Sequence, residues 1–316
     1  MKKPLIILTG PTAVGKTDLS ISLAKLVNGE IISADSMQVY KKMNIGTAKI
    51  TAAEMENVPH HLIDILDPSE EFNVFLFKEY AKKAMEEIYE RGNIPIITGG
   101  TGFYIQSVIY DIEFNEETGD KEYRKKLEEI ASTKGAQYLH EMLKEIDEKA
   151  AGEIHANNVK RVIRAIEFHH ETGQKISEHN NIQKQKESPY NFAYFVLNDI
   201  REKLYERINI RVDKMVEDGL IDEVKSLVNE GYTKELVSMQ GLGYKEIIDA
   251  INGNITMEEA IYQIKLETRH FAKRQLTWFR REKEVIFLNK NEFNNEKQAI
   301  LNYIRDCLID KKIIEV

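Results

Sequence analysis

Short apolar runs alternate with longer amphipathic stretches along the first hundred residues. Pro4 to Thr9 (PLIILT) leads into a glycine and then into a helical pattern through Leu19, Leu23 and Leu26, which predicts strand, loop and helix. Further apolar runs at Ile31-Ile32, Leu62 to Leu66 and Ile94 to Ile97 each end close to Asp or Gly. Helical stretches such as Phe75 to Tyr89 separate them. This alternation predicts an α/β fold, a parallel sheet with helices on both faces.

From about residue 113 the texture changes. Glu113 to Lys186 is charged, helical in period and poor in β-branched runs, with Gly119, Gly135, Gly152 and Gly173 as punctuation. An inserted all-helical domain over 113–191 is expected, flanked by a core made of 1–112 and 192–316. Phe192 to Leu197 (FAYFVL) resumes the sheet pattern, helices follow, and Val285 to Leu288 reads as a late strand.

Composition changes this picture little. A chain of 316 residues, 42% hydrophobic, can bury a full core and accommodate one domain with a large insertion. Its one cysteine, Cys307, excludes an internal disulfide framework or a cysteine-rich zinc module, and its place in an amphipathic final helix (Ile300, Tyr303, Ile304, Leu308) reads as packed and inert. The opening residues lack the apolar run of a signal peptide and no stretch is long enough to span a bilayer, so the expected location is the cytoplasm with no membrane partner. A net charge of −8 disfavours indiscriminate nucleic-acid binding, although a local basic face can outweigh the sum.

Chemistry enters at residues 8 to 17, LTGPTAVGKT. Gly10 and Gly15 let backbone N–H groups turn inward around an oxyanion, Lys16 adds a point charge, and Thr17 can offer its hydroxyl to Mg²⁺ at a helix N-terminus. The run Gly10, Pro11, Thr12, Ala13, Val14, Gly15, Lys16, Thr17 is thus a phosphate-binding loop. Nucleotide hydrolysis would also call for an acid at the end of an apolar strand. The strand Ile94 to Thr98 ends instead in Gly99-Gly100-Thr101-Gly102. Asp35, which follows the second strand, stands where α/β proteins keep their ligands and can act as a base; it also fits a turn or helix-cap aspartate. Asp64 and Asp67 are weaker candidates of the same kind.

Residues 256–283 carry a helical stripe in which Ile261, Ile264, Phe271, Trp278 and Phe279 share an expected core face, with Lys265, Arg269, Lys273 and Arg280 in an arc beside it. The arc fits either a solvated face or phosphate contacts. A second basic cluster, Lys160-Arg161-Val162-Ile163-Arg164, lies on the insertion, and a glycine-containing turn starts at Gln240. Three such elements on separate segments suggest a polyanionic partner larger than a nucleotide. The pairs His60-His61 and His169-His170 read as structural or surface residues, since adjacent side chains point apart and no partners stand at zinc spacing.

In chain order, GPTAVGKT, ISADSMQVYKKMNIGTAK, GGTGFYIQ, NNVKRVIRAIE, QGLGYKE and RHFAKRQLTWFRR together resemble the tRNA dimethylallyltransferases, also called tRNA isopentenylpyrophosphate transferases, over about residues 5 to 288. The resemblance implies that the loop grips the diphosphate of dimethylallyl diphosphate. It implies transfer of the dimethylallyl group to N6 of the adenosine at tRNA position 37, 3′ of the anticodon, in tRNAs reading codons that begin with U. Asp35 would be the general base, with Thr101 beside the reacting amine, and Lys16, Thr17, Mg²⁺ and Arg211 would stabilise the departing diphosphate. The adenine would be flipped into a tunnel. Asp35, Ser36, Met37, Gln38, Thr101, Lys160 to Arg164, and Gln240, Gly241, Leu242, Gly243, Tyr244 and Lys245 match the family's tRNA-contacting segments. Arg269 and Lys273 fit phosphate contacts, and the insertion would clamp the anticodon stem-loop. With one cysteine there is no counterpart of the eukaryotic members' zinc finger, so a monomeric bacterial-type enzyme is expected. A small-molecule or nucleoside kinase is the alternative, using Lys16 for ATP and Asp35 as base.

Overall fold

The computed structural model describes residues 2–114 and 120–315, so Gly119 lies outside the described residues. In chain order the elements are β1 (Lys3–Thr9), α1 (Lys16–Val27), β2 (Gly29–Ala34), β3 (His60–His61), α2 (Val74–Glu90), β4 (Ile94–Gly99) and α3 (Gly102–Ile109). There follow α4 (Lys121–Lys134), α5 (Ala136–Ile146), α6 (Glu148–Glu153), α7 (Val159–Thr172) and α8 (Ile176–Gln185). The chain then continues through β5 (Tyr190–Asn198), α9 (Arg201–Glu217), α10 (Leu220–Asn229), α11 (Tyr244–Ile251), α12 (Met257–Phe279), β6 (Val285–Asn289) and α13 (Lys297–Asp310).

The strands form one six-stranded sheet in the order β3-β2-β4-β1-β5-β6, and every pairing is parallel. Because side chains alternate across a strand, the buried runs divide between two faces. Ile6, Leu8, Ile31, Ile96, Phe195, Leu197 and Leu288 pack in one cluster with Leu19 and Leu23 of α1, Leu204 and Ile208 of α9, and Ile300, Ile304 and Leu308 of α13. Their neighbours Leu5, Ile7, Ile32, Ile97, Tyr194 and Val196 are equally buried and face away from that cluster. Hydroxyls clip the centre of the sheet: Thr9 Oγ1 donates to the Gly99 carbonyl at 2.5 Å and Thr98 Oγ1 to that of Leu8 at 3.0 Å.

One expected strand moves. Leu62 to Leu66 is a bent segment, because Leu62 and Asp64 take positive φ values of 63° and 55°; the pairing is made by His60-His61 instead. His61 Nε2 lies 2.7 Å from Glu30, whose carboxylate also accepts from Arg91 and Asn93, while His60 Nδ1 meets the Val58 carbonyl at 2.8 Å. Asp64 pairs with Lys49 at 2.5 Å and Asp67 accepts from the Tyr232 hydroxyl at 2.9 Å, so both acids hold loops.

The chain divides into two compact units, residues 1–109 with 189–316, and residues 110–188. These limits lie three residues earlier than the 113–191 read from the sequence, since α3 ends at Ile109 and β5 already begins at Tyr190. The smaller unit has its own core, built from Leu127, Leu139, Leu143, Ile154, Val162, Ile163 and Ile166. Inside it the buried Asp147 caps α6 and accepts from the backbone and hydroxyl of Ser177. Among the described residues no helix is long and apolar enough to cross a membrane.

Candidate active site

Parallel strands end on the same edge of a sheet, and the ligand site of such sheets lies outside that edge. Here the edge presents Asp35 after β2, Gly100-Thr101 after β4, the loop 10–17 after β1, Asp199 after β5 and Lys290 after β6. The strand order places Asp35 and Thr101 on one side of the loop and Asp199 and Lys290 on the other.

The loop is held open by left-handed backbone at Ala13 (φ 61°) and Gly15 (φ 97°). Lys16 Nζ folds across it and donates to the carbonyls of Gly10 at 2.9 Å and Pro11 at 2.8 Å. Burial and the neighbouring Arg211 push the Lys16 ammonium down to about 7, against the opposing pull of Asp35. Arg211 of α9 donates to Thr12 Oγ1 at 3.3 Å, and burial lowers its own pKa while Asp35 raises it. One turn earlier on the same helix, Arg207 donates to the Ala13 carbonyl at 3.1 Å and pairs with Asp199 at 2.6 Å. The loop is therefore wrapped by cations. Pro11 has no N–H, and the Thr12 N–H is taken by Gln275, so the remaining loop amides are the donors available to a phosphate.

Asp35 Oδ1 accepts from the N–H groups of Met37 at 2.9 Å and Gln38 at 3.3 Å, while Oδ2 accepts no hydrogen bond among the described residues. One carboxylate thus serves as both turn aspartate and open acceptor. Thr101 immediately precedes α3: its N–H donates to the Ala34 carbonyl at 3.2 Å, and its carbonyl accepts from the N–H of Tyr104. Gln275 of α12 ties this turn to the loop, its Oε1 accepting from Thr12 N–H at 2.9 Å and its Nε2 donating to the Gly100 carbonyl at 3.1 Å. A β-carbon at Gly100 would stand 2.0 Å from Gln275 Nε2, and one at Gly102 would stand 2.2 Å from the Trp278 ring, so the glycines of this turn allow α12 to approach. Among the described residues no group of three or more His, Cys, Asp or Glu could hold a metal ion.

The sequence profile of the IPP transferases matches residues 38–282, which begins beyond the loop and Asp35 and so is independent of them. This chain belongs to the IPP transferase family. At 58% identity over 313 residues, covering 99% of this chain and 100% of the other, it is similar to a tRNA dimethylallyltransferase of Lachnoclostridium phytofermentans. Among solved structures, a tRNA isopentenylpyrophosphate transferase of Bacillus halodurans is 47% identical with a TM-score of 0.74, covering 99% of this chain and 98% of the other. That of Staphylococcus epidermidis is 45% identical with a TM-score of 0.72, over 98% and 100%. A eukaryotic dimethylallyltransferase described as acting on tRNA is 32% identical with a TM-score of 0.79, over 91% of this chain and 74% of its own. The kinase reading of the loop is not favoured.

For an IPP transferase, the segments matched to tRNA contact divide by burial. Tyr244 is fully buried and donates to Glu223 at 2.7 Å, whose carboxylate also receives the N–H groups of Asn44, Ile45 and Gly46; its side chain cannot meet RNA. Val162 and Ile163 face the core of the helical unit, because within residues 160–164 the helical period of α7 turns Lys160 and Arg161 outward and Arg164 to the margin. Gln38 is engaged with Ser33, Thr47 and Ala48. Met37 and Gly241 adjoin, so Ser36, Met37, Gln240, Gly241, Leu242 and Lys245 share one neighbourhood, with Gly243 buried at the start of α11.

The stripe on α12 also shifts. Ala260, Ile264, Ala272, Gln275 and Phe279 are buried, whereas Ile261, Phe271 and Trp278 are only partly so. Of the basic arc, Lys265 pairs with Asp213 at 2.5 Å and Arg269 donates to Asn209 at 2.7 Å, stitching α12 to α9. The exposed basic surface is set one turn further on, where Lys273, Arg274 and Arg281 line a shallow hollow with His270, Thr277 and Trp278. Sequence reasoning missed Arg207 and Asp199, although the i, i+4 spacing of Arg207 to Arg211 and a strand-ending Asp were both signals. It also missed Gln275, a polar residue on an otherwise apolar stripe.

Proposed function

We propose that this IPP transferase moves the dimethylallyl group from dimethylallyl diphosphate to the exocyclic amine of the adenosine at tRNA position 37, releasing diphosphate. The observation that carries the reading is one edge holding a cation-wrapped phosphate loop beside an open carboxylate, Asp35 Oδ2, with a glycine-threonine turn where a nucleotidase would keep its acid.

An exocyclic amine is a weak nucleophile, so orientation and proton removal both lower the barrier. As the bond from N6 to the allylic carbon forms, the bond from that carbon to the diphosphate oxygen breaks, and the amine proton passes to Asp35. Thr101 presents its hydroxyl beside the amine. Lys16, Arg211 and the loop amides stabilise the charge that grows on the leaving group, which is electrostatic catalysis. Mg²⁺ needs few protein ligands when phosphates supply the rest, which suits Thr17 at the start of α1; it would neutralise part of the diphosphate charge. The helical unit of residues 110–188 would grip the anticodon stem-loop, with Lys160, Arg161 and Arg164 on phosphates. Lys273 and its basic neighbours would do the same from α12. A cytoplasmic monomer suffices for all of this.

The test compares phosphate products. With unmodified tRNA and Mg²⁺, dimethylallyl diphosphate should release one diphosphate per tRNA alkylated, and ATP should not turn over. ATP turnover without tRNA, and no diphosphate release from the prenyl donor, would sink the reading.

A further inference from the structure

On the side of the loop away from Asp35, Lys290 follows β6 directly, and its Nζ stands 3.0 Å from where a β-carbon on Gly15 would lie. Among the described residues that ammonium has no hydrogen-bond acceptor and no ion-pair partner. The acids around it are already matched, Asp199 to Arg207 at 2.6 Å and Asp18 to Lys297 at 2.7 Å. Lys290 is thus an extra, partly buried cation set against an anion-binding loop. Burial and Arg207 both lower its pKa, against the pull of Asp199 and Asp18, an arrangement that a bound anion would relieve.

We propose that Lys290 is a further diphosphate-binding residue, contacting the phosphoryl group farther from the bond that breaks. The inference rests on the loop being the diphosphate site, and it follows from strand order. The carbon that is transferred must face the acceptor amine, on the side of Asp35 and Thr101. A diphosphate attached to that carbon then extends across Lys16 toward β5 and β6, where Lys290 waits. Charge at that distal phosphoryl group changes little as the carbon–oxygen bond breaks, so the contact binds substrate and transition state alike. Its loss should therefore appear in KM and in diphosphate affinity, with kcat nearly untouched.

Four full-length proteins test this: wild type, Lys290→Met, Lys290→Arg and Lys16→Met. Inorganic pyrophosphate is titrated calorimetrically, and KM and kcat for dimethylallyl diphosphate are measured at saturating tRNA. Lys290→Met should weaken pyrophosphate binding about tenfold and raise KM by a similar factor. Its kcat should stay within about twofold, and Lys290→Arg should recover most of the loss. Pyrophosphate binding equal to wild type in Lys290→Met, with Lys16→Met still deficient, would overturn the inference and leave the loop reading intact. A loss that Lys290→Arg does not recover would assign Lys290 a packing role and overturn it as well. No pyrophosphate binding by the wild type would remove the loop reading itself, and the inference with it.

Discussion

Asp35 does two jobs with two oxygens, and they can be separated. In Asp35→Asn the carbonyl oxygen can still accept from Met37 and Gln38, while the base is gone. Turnover should fall by roughly 10²–10⁴-fold with tRNA affinity and thermal stability unchanged; near-normal single-turnover rates would remove Asp35 from the chemistry. Lys16 gives a prediction in pH. Its ammonium sits at about 7 before an anion binds, and a diphosphate favours the charged form. Above that pH the protein should take up a proton as pyrophosphate binds, so this group's contribution to affinity declines as pH rises through about 7. Calorimetry in two buffers of different ionisation enthalpy measures the uptake, and Lys16→Arg, whose charge is fixed, should lack it. Equal uptake in both proteins would contradict the assignment. Asp35 and the loop were legible in the sequence because strand, loop and helix force their placement. Tyr244 and Val162 were not: a motif match says which segment lies near a partner, and only packing says which side chains it turns inward.

At the scale of elements, the link between α12 and the loop matters most. Gln275 satisfies a loop N–H and a turn carbonyl at once. Removing it leaves both groups without their partner, which should cost about 2 kcal/mol in chemical denaturation and loosen the loop relative to Thr101. Gln275→Ala should thus lower both stability and kcat, and a variant with wild-type stability would mean that water replaces the amide. The apolar period located α12 correctly yet misjudged the centre of its stripe, because the aromatic residues Phe271 and Trp278 outweigh alanines in hydrophobicity although Ala260 and Ala272 are the residues that fit the close contact. Leu62 to Leu66 failed as a strand for a related reason. Leu62 and Leu66 are buried while Ile65 is exposed, and two left-handed positions break the extended backbone that a strand needs.

At the scale of the whole molecule, the parallel order of the sheet was written in the repeated strand–helix alternation, and the helical unit in the loss of that alternation. The order of strands, and with it the row of side chains along the ligand edge, depends on crossovers that no local pattern specifies. A chain with net charge −8 must also bind a polyanion through local surfaces. Replacing Lys273, Arg274 and Arg281 together by alanine should weaken tRNA binding and reduce the slope of log affinity against log salt by about 2. An unchanged slope would make that hollow an ordinary solvated face. A single experiment tests whether the loop's diphosphate carries a prenyl group destined for one adenosine. Isotopically labelled dimethylallyl diphosphate is incubated with the protein, Mg²⁺ and unmodified tRNA, and the digested tRNA is read by nucleoside and fragment mass spectrometry. Label on N6 of the adenosine 3′ of the anticodon is the expected result; unlabelled tRNA, or label on another nucleoside, would contradict it.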